Sequence, residues 1–192
     1  MPIYEIQHAI PLSISQKDEL AAAITTLHST TFTTPKLFVQ VFYTDVSTRD
    51  VYIGGVARSG NHIKGQVRSG ASRSQAEWNT LCVEMARAWD KVCGVPLPTR
   101  KGGKEQGDTK LHSVTLMGGM VAGLEVGFVL PSAGGDVDWI RENMAAFRKR
   151  ADEGDEDMKG LVADVEARGL LVDEGKSAVQ RLEEALGWGD AA

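Results

Sequence analysis

Two helix-starting signals, each lying between strand-like segments, constrain the fold of this chain most. Ser74-Gln75-Ala76-Glu77 is a capping box, in which a serine side chain and a glutamate three positions later close the first helical turn. Ser15-Gln16-Lys17-Asp18 offers a similar start upstream. Apolar residues then recur at helical spacing: Leu20, Ile24 and Leu27 with His28 in the first helix, and Trp78, Leu81, Cys82, Met85, Trp89 and Cys93 in the second.

Segments with strand character flank both helices. Residues 2–8 alternate in polarity, residues 37–43 are rich in β-branched and aromatic side chains, and residues 61–68 alternate again before the second helix. Residues 111–117 supply the next strand after a polar loop over residues 99–108. This order predicts an α+β fold built from two β-α-β units.

The second half of the chain continues with weaker patterns. Residues 121–130 predict a strand or a hairpin, and residues 136–150 predict a helix. Two further helical patterns cover residues 158–168 and 176–186. We therefore divide the chain into a domain over residues 1–150 and an acidic, helical C-terminal extension over residues 151–192.

Length and charge exclude several classes of protein. At 192 residues and 20.7 kDa, the chain is expected to form one domain with an appendage. Residues 136–192 carry a net charge of −7 and the rest +2, which argues against a nucleic-acid partner. No apolar run reaches the roughly 18 residues of a membrane span, and no secretory leader pattern is present, so we expect a cytoplasmic protein without a membrane partner. Cys82 and Cys93 are too few for a disulfide framework or a four-thiolate zinc site.

Pro2 is the first candidate catalytic residue. If Met1 is removed, the chain begins with a secondary amine at the start of a strand. An α-amino group ordinarily titrates near pH ~7.7–8.0, which suits general acid–base chemistry. The alternative is that the Met-Pro start has no functional meaning.

Four further residues are candidates for the same chemistry. Arg68 and Arg73 precede the second helix, where two guanidiniums could grip a carboxylate; otherwise they are solvated surface residues. His28 lies on the apolar stripe of the first helix, where a histidine more often packs than reacts. Glu125 stands in an otherwise uncharged stretch and is either an exposed edge residue or a buried carboxyl with a raised pKa.

Together these segments resemble the tautomerase superfamily, in particular the branch of cis-3-chloroacrylic acid dehalogenase and its fungal homologues. The resemblance rests on Pro2-Ile3-Tyr4, residues 24–28 ending in His28, Gly54-Gly55-Val56, residues 67–74 containing both arginines, and residues 125–131 beginning with Glu125. It covers roughly residues 2–148. It implies a β-α-β fold that assembles as a homotrimer and works without metal or other cofactor.

The resemblance also implies the roles of these residues. Pro2 would transfer a proton at carbon, Arg68 and Arg73 would bind the carboxylate of a small substrate with help from His28, and Glu125 would activate water. The tyrosine that assists water activation in the family dehalogenase is replaced by Val114 or Thr115. Three functions follow: hydration, with dehalogenation as a variant, of a small α,β-unsaturated carboxylate; keto–enol tautomerisation of a 2-oxo acid with Pro2 as base; or a non-catalytic trimeric homologue.

Overall fold

The computed structural model describes residues 2–94 and 109–171, so the predicted loop over 99–108 and helix over 176–186 lie outside the described residues. In chain order, the elements are β1 (Ile3–His8), α1 (Ile14–Phe32), a 3₁₀ turn (Lys36–Phe38), β2 (Gln40–Asp45), β3 (Tyr52–Ile53), β4 (Val56–Ala57), β5 (Asn61–Gln66), α2 (Gln75–Cys93), β6 (Leu111–Met117), β7 (Leu124–Glu125), β8 (Phe128–Val129), α3 (Asp136–Asp152) and α4 (Glu156–Ala167).

Four strands form the central sheet in the order β2-β1-β5-β6. β1 and β2 are parallel and joined by α1, while β5 and β6 are parallel and joined by α2. β1 and β5 pair antiparallel in the middle, with Ile6 opposite Ile63, and so fuse the two units into one sheet. The predicted α+β fold with two β-α-β units is confirmed. None of the helices in the described part of the chain combines the length and the apolar composition that crossing a bilayer requires.

The starts of the two long helices show which of the two predicted caps was correct. Ser74 caps α2 through a capping box with Glu77, as predicted. The predicted cap at Ser15 is wrong: α1 begins after Ser13, whose partner in the capping box is Gln16. A glutamine amide can accept the hydrogen bond from the cap N–H as a carboxylate does, so an acidic residue was not needed.

The strand predicted over residues 37–43 begins later than expected. Pro35 initiates the 3₁₀ turn, and β2 starts only at Gln40. Because of this turn, the buried ring of Phe38 leaves the sheet and joins a second apolar cluster. The position of Gln40 at the start of β2 matters for the site described below.

The main core lies between the sheet and the two long helices. Its fully buried members come from strands and helices alike and include Tyr4, Ile6, Leu20, Ile24, Ile63, Leu81, Met85 and Trp89. Burial of such large side chains supplies most of the driving force for this layer, at about 25 cal/mol per Å² of apolar surface.

A second core joins the C-terminal helices to the rest of the chain. α3 and α4 pack against each other and enclose Phe38 together with Trp139, Ile140, Met144, Phe147, Met158, Leu161, Val165 and Leu170. Arg168 near the end of α4 also donates hydrogen bonds to the carbonyls of Ser29 and Thr34 at the end of α1. The boundary that we predicted after residue 150 falls inside α3, and the division into two domains stays a prediction.

Candidate active site

Pro2 lies immediately before β1 and is buried. Its carbonyl accepts a hydrogen bond of 3.0 Å from the backbone N–H of Gln40, the first residue of β2. This bond continues the parallel register that places Ile3 beside Gln40. Removal of Met1, on which an amine at Pro2 depends, concerns a residue outside those described.

Glu125 is tied to the same glutamine. The Gln40 side-chain amide donates a 2.8 Å hydrogen bond to Oε1 of Glu125. The other oxygen, Oε2, is buried and has no hydrogen-bond partner among the described residues. Burial raises the pKa of Glu125; the hydrogen bond from Gln40 and the positive charge of Arg68 oppose that rise. Gln40 therefore connects Pro2 and Glu125, a role that the sequence did not reveal.

The turn after Glu125 has an unusual backbone. β7 and β8 form a two-residue hairpin whose central residues, Val126 and Gly127, have φ angles of 46° and 90°. A turn with two consecutive residues in the left-handed region suits a β-hairpin. A β-branched residue such as valine rarely adopts that region. Arg150 of α3 donates a 2.5 Å hydrogen bond to the Val126 carbonyl and lies over the ring of Phe128. α3 thus holds the turn that carries Glu125.

His28 is buried rather than open to a substrate from solvent. Its Nδ1 shares a 2.7 Å hydrogen bond with the Tyr4 hydroxyl, and its ring packs edge-on against Phe32. Burial, and then the positive charge of Arg73, holds the pKa of His28 well below its ordinary range. The imidazole is therefore neutral at physiological pH and contributes no positive charge to anion binding.

Arg68 and Arg73 lie side by side, and both are buried. The alternative that they are solvated surface residues is wrong. A carboxylate of this same chain lies between them: Arg68 Nη2 is 2.6 Å from Oδ1 of Asp136, and Arg73 Nη2 is 3.1 Å from Oδ2. Burial lowers the pKa of the Arg73 guanidinium, and the charge of Asp136 opposes that change. Asp136 was not predicted as a site residue, although its position at the start of a predicted helix was visible.

Further contacts orient each guanidinium. Arg68 Nη1 donates to the carbonyls of Pro131 and Ser132, at 2.5 and 3.2 Å. Arg73 Nη1 donates to the Arg68 carbonyl at 3.0 Å, and its guanidinium lies 4.3 Å from the centre of the Phe32 ring. Stacking of this kind adds a cation–π attraction.

The five predicted site residues therefore fall into one region with two parts. Gln40 joins Pro2 to Glu125, and Asp136 joins Arg68 to Arg73. His28 links the parts, because it bonds Tyr4, two residues after Pro2, and packs on the phenylalanine that Arg73 covers. The charge of Arg68 acts on both Glu125 and His28. The roles of these residues in catalysis stay predictions.

Other parts of the structure offer less chemistry. Within residues 2–94 and 109–171, no three His, Cys, Asp or Glu side chains cluster closely enough to hold a metal ion. A cavity of 460 Å³ opens between α2 and β6 and is lined by Trp78, Cys82, Val114 and Leu116 among others, but by none of the five predicted residues.

Comparison with known proteins identifies relatives of this arrangement. Residues 1–143 match the family described as "putative oxalocrotonate tautomerase enzyme". No curated protein matches the chain. A solved member of the cis-3-chloroacrylic acid dehalogenase family is 20% identical, with 79% of this chain and 99% of that chain covered and a TM-score of 0.55.

Two other solved structures are similar at lower scores. A fused 4-OT, described as an asymmetric trimer, is 15% identical over 60% of this chain and 82% of that chain, with a TM-score of 0.45. A macrophage migration inhibitory factor-like protein from Entamoeba histolytica is 16% identical over 67% of this chain and 98% of its own, with a TM-score of 0.44. The predicted resemblance to the tautomerase superfamily is confirmed by the family match.

Proposed function

Because this chain belongs to the oxalocrotonate tautomerase family that matches residues 1–143, we propose that it is a tautomerase-type enzyme that uses Pro2 as its amino-terminal catalyst. We propose further that it adds water to the activated double bond of a small α,β-unsaturated carboxylate or a closely related carbonyl compound. Dehalogenation is the variant of this reaction in which the substrate carries a halogen. The observation that carries the proposal is the connection of Pro2 to the half-buried Glu125 through Gln40.

Glu125 is suited to deprotonate water. Its Oε2 is buried and unpaired among the described residues, so it can accept a proton from a water molecule placed between it and the substrate. Its raised pKa brings it closer to the operating pH, where a general base is most effective. Gln40 holds the opposite oxygen and so fixes the orientation of the carboxylate.

Pro2 supplies the second proton transfer once Met1 has been removed. The water oxygen bonds to the β-carbon while its proton goes to Oε2 of Glu125, and the π electrons shift toward the carbonyl group. The ammonium of Pro2 then gives its proton to the α-carbon, which completes the addition of H and OH. A proton passing from Glu125 to Pro2 through solvent restores the enzyme. The nearby carboxylate favours the protonated amine that this step needs.

A second function, keto–enol tautomerisation of a 2-oxo acid, is favoured by the two arginines. Arg68 and Arg73 place positive charge in the same region, and positive charge lowers the pKa of an amine. A neutral Pro2 would then act as base, and Glu125 would not be required. The two functions differ in their dependence on Glu125.

The test compares Pro2→Ala and Glu125→Gln with Glu142→Gln, an exposed glutamate on α3, as a matched control. Turnover is measured on unsaturated acids, on their amides and esters, and on 2-oxo acids, and intact mass establishes that Met1 is absent. Hydration predicts that both site variants lose at least about 100-fold in kcat, the usual contribution of a positioned acid or base. Tautomerisation predicts loss in Pro2→Ala alone. Full activity in both variants would contradict each function.

We also propose that the chain assembles as a homotrimer, as its family resemblance implies. Support comes from the sheet, whose edge strands β2 and β6 pair on one side only among the described strands. Phe42 and Met117 on these strands are exposed apolar side chains. Sedimentation at micromolar concentration should give three times 20.7 kDa. A monomer would contradict the proposal.

A further inference from the structure

The arginine pair already holds a carboxylate. Asp136 uses both of its oxygens, one for each guanidinium, in the way that a substrate carboxylate was expected to do. The side chains of Arg68, Arg73 and Asp136 are only 8%, 3% and 4% exposed. An incoming carboxylate could bind both arginines only by displacing Asp136.

Asp136 is held firmly in this position. It is the first residue of α3, where the unpaired N–H groups of a helix favour negative charge. Thr34 donates a third hydrogen bond to Oδ1, at 3.3 Å. The helix itself is anchored by Ile140 and Phe147, both completely buried. Displacement would leave a carboxylate buried without partners, which is strongly unfavourable.

Asp136 also changes the charge that a substrate meets. The two arginines carry +2, and the ionised Asp136 and Glu125 carry −2, so these four groups sum to zero when Glu125 is ready to act as base. Without Asp136 the sum would be +1. Whatever the protonation state of Pro2, Asp136 makes the site less attractive to an anion by one unit of charge. A neutral carbonyl group does not lose attraction through this change of net charge as an anion does.

We propose that Asp136 is a specificity-determining residue, a resident carboxylate that makes this site select substrates activated by an uncharged carbonyl group, such as an amide, ester or ketone, over carboxylates. The inference rests on the proposed function, because it concerns the same site and names its substrate class. Asp136 stays in place during the reaction and keeps the arginine pair oriented.

Crotonate and crotonamide test this inference, since they have nearly the same shape and differ in charge. Their dissociation constants are measured by ligand-observed NMR for the wild type, Asp136→Asn and the control Asp138→Asn. Asp138 is an exposed carboxylate two residues along the same helix. We expect the wild type and the control to bind crotonamide at least tenfold more tightly. Asp136→Asn should shift the ratio of the two constants toward crotonate by at least tenfold.

Three results would overturn the inference: tighter binding of crotonate by the wild type, an unchanged ratio in a folded Asp136→Asn, or no binding of either ligand to any of the proteins. The ratio of the two dissociation constants of the wild type needs no variant, so it tests the inference even if Asp136→Asn fails to fold. Binding is read separately from turnover. Charge selection without turnover would therefore refute the proposed function while the inference about Asp136 stands.

Discussion

Replacing Asp136 with alanine should lower the free energy of unfolding by about 3–5 kcal/mol, the usual cost of removing one partner from a buried ion pair. The structure supports the upper part of that range. Asp136 accepts charge-assisted hydrogen bonds from Arg68 and Arg73, each worth about 1.5–3 kcal/mol, and its removal leaves two nearly buried guanidiniums facing each other. Since a domain is stable by only about 5–15 kcal/mol, a loss of this size is easy to detect.

Urea unfolding followed by circular dichroism measures this loss, with Asp138→Ala as control. Asp138 pairs with Arg141 on the surface, so its removal should cost no more than about 1 kcal/mol. Added acetate should restore part of the stability of Asp136→Ala and leave the wild type unchanged, because a small carboxylate fits the space between the arginines. A loss below about 1 kcal/mol, without any effect of acetate, would show that the arginines are not held by Asp136.

Three further predictions concern other residues. The pKa of Glu125 is raised in the folded state, so the wild type loses stability as pH rises from the ordinary glutamate pKa through the folded pKa. Glu125→Gln should remove this part of the pH dependence. Urea titrations at several pH values should therefore show a free energy of unfolding that varies less with pH in the variant than in the wild type. In Gln40→Leu, the bond that favours ionised Glu125 is gone, so the acidic limb of the pH–rate profile should move to higher pH, whereas Gln66→Leu should leave it in place. Ser74→Ala removes the hydrogen bond that Ser74 Oγ accepts from the backbone N–H of Glu77, so it should lower the free energy of unfolding by about 1 kcal/mol in thermal or urea melts; an unchanged stability would contradict the role of the cap.

Much of the fold could be predicted because its signals are local. Ser74 and Glu77 lie in one helical turn, and residues 111–117 coincide with β6. The errors are local as well. The prediction required an acidic partner for the first cap and so passed over Ser13 and Gln16, and it ran a strand through the turn that follows Pro35.

The site could be predicted only in part. The proline, histidine, arginine and glutamate candidates were recognised by residue type and by their order along the chain. Gln40 and Asp136 were missed because their contacts join residues 85 positions apart for Gln40 and 63 and 68 positions apart for Asp136, and the local sequence does not show such contacts. The hairpin after Glu125 was also hard to identify, since Val126 occupies a left-handed position where asparagine or glycine is the usual signal.

The helix α3 contacts both parts of the site. Asp136 at its first residue meets the arginine pair, and Arg150, about 21 Å further along its axis, supports the turn of Glu125. The family match ends at residue 143, in the middle of this helix. Arg150 therefore lies outside the residues that match the family. A chain cut at residue 143 would keep all the predicted catalytic residues and lose the hydrogen bond from Arg150 that supports the turn after Glu125.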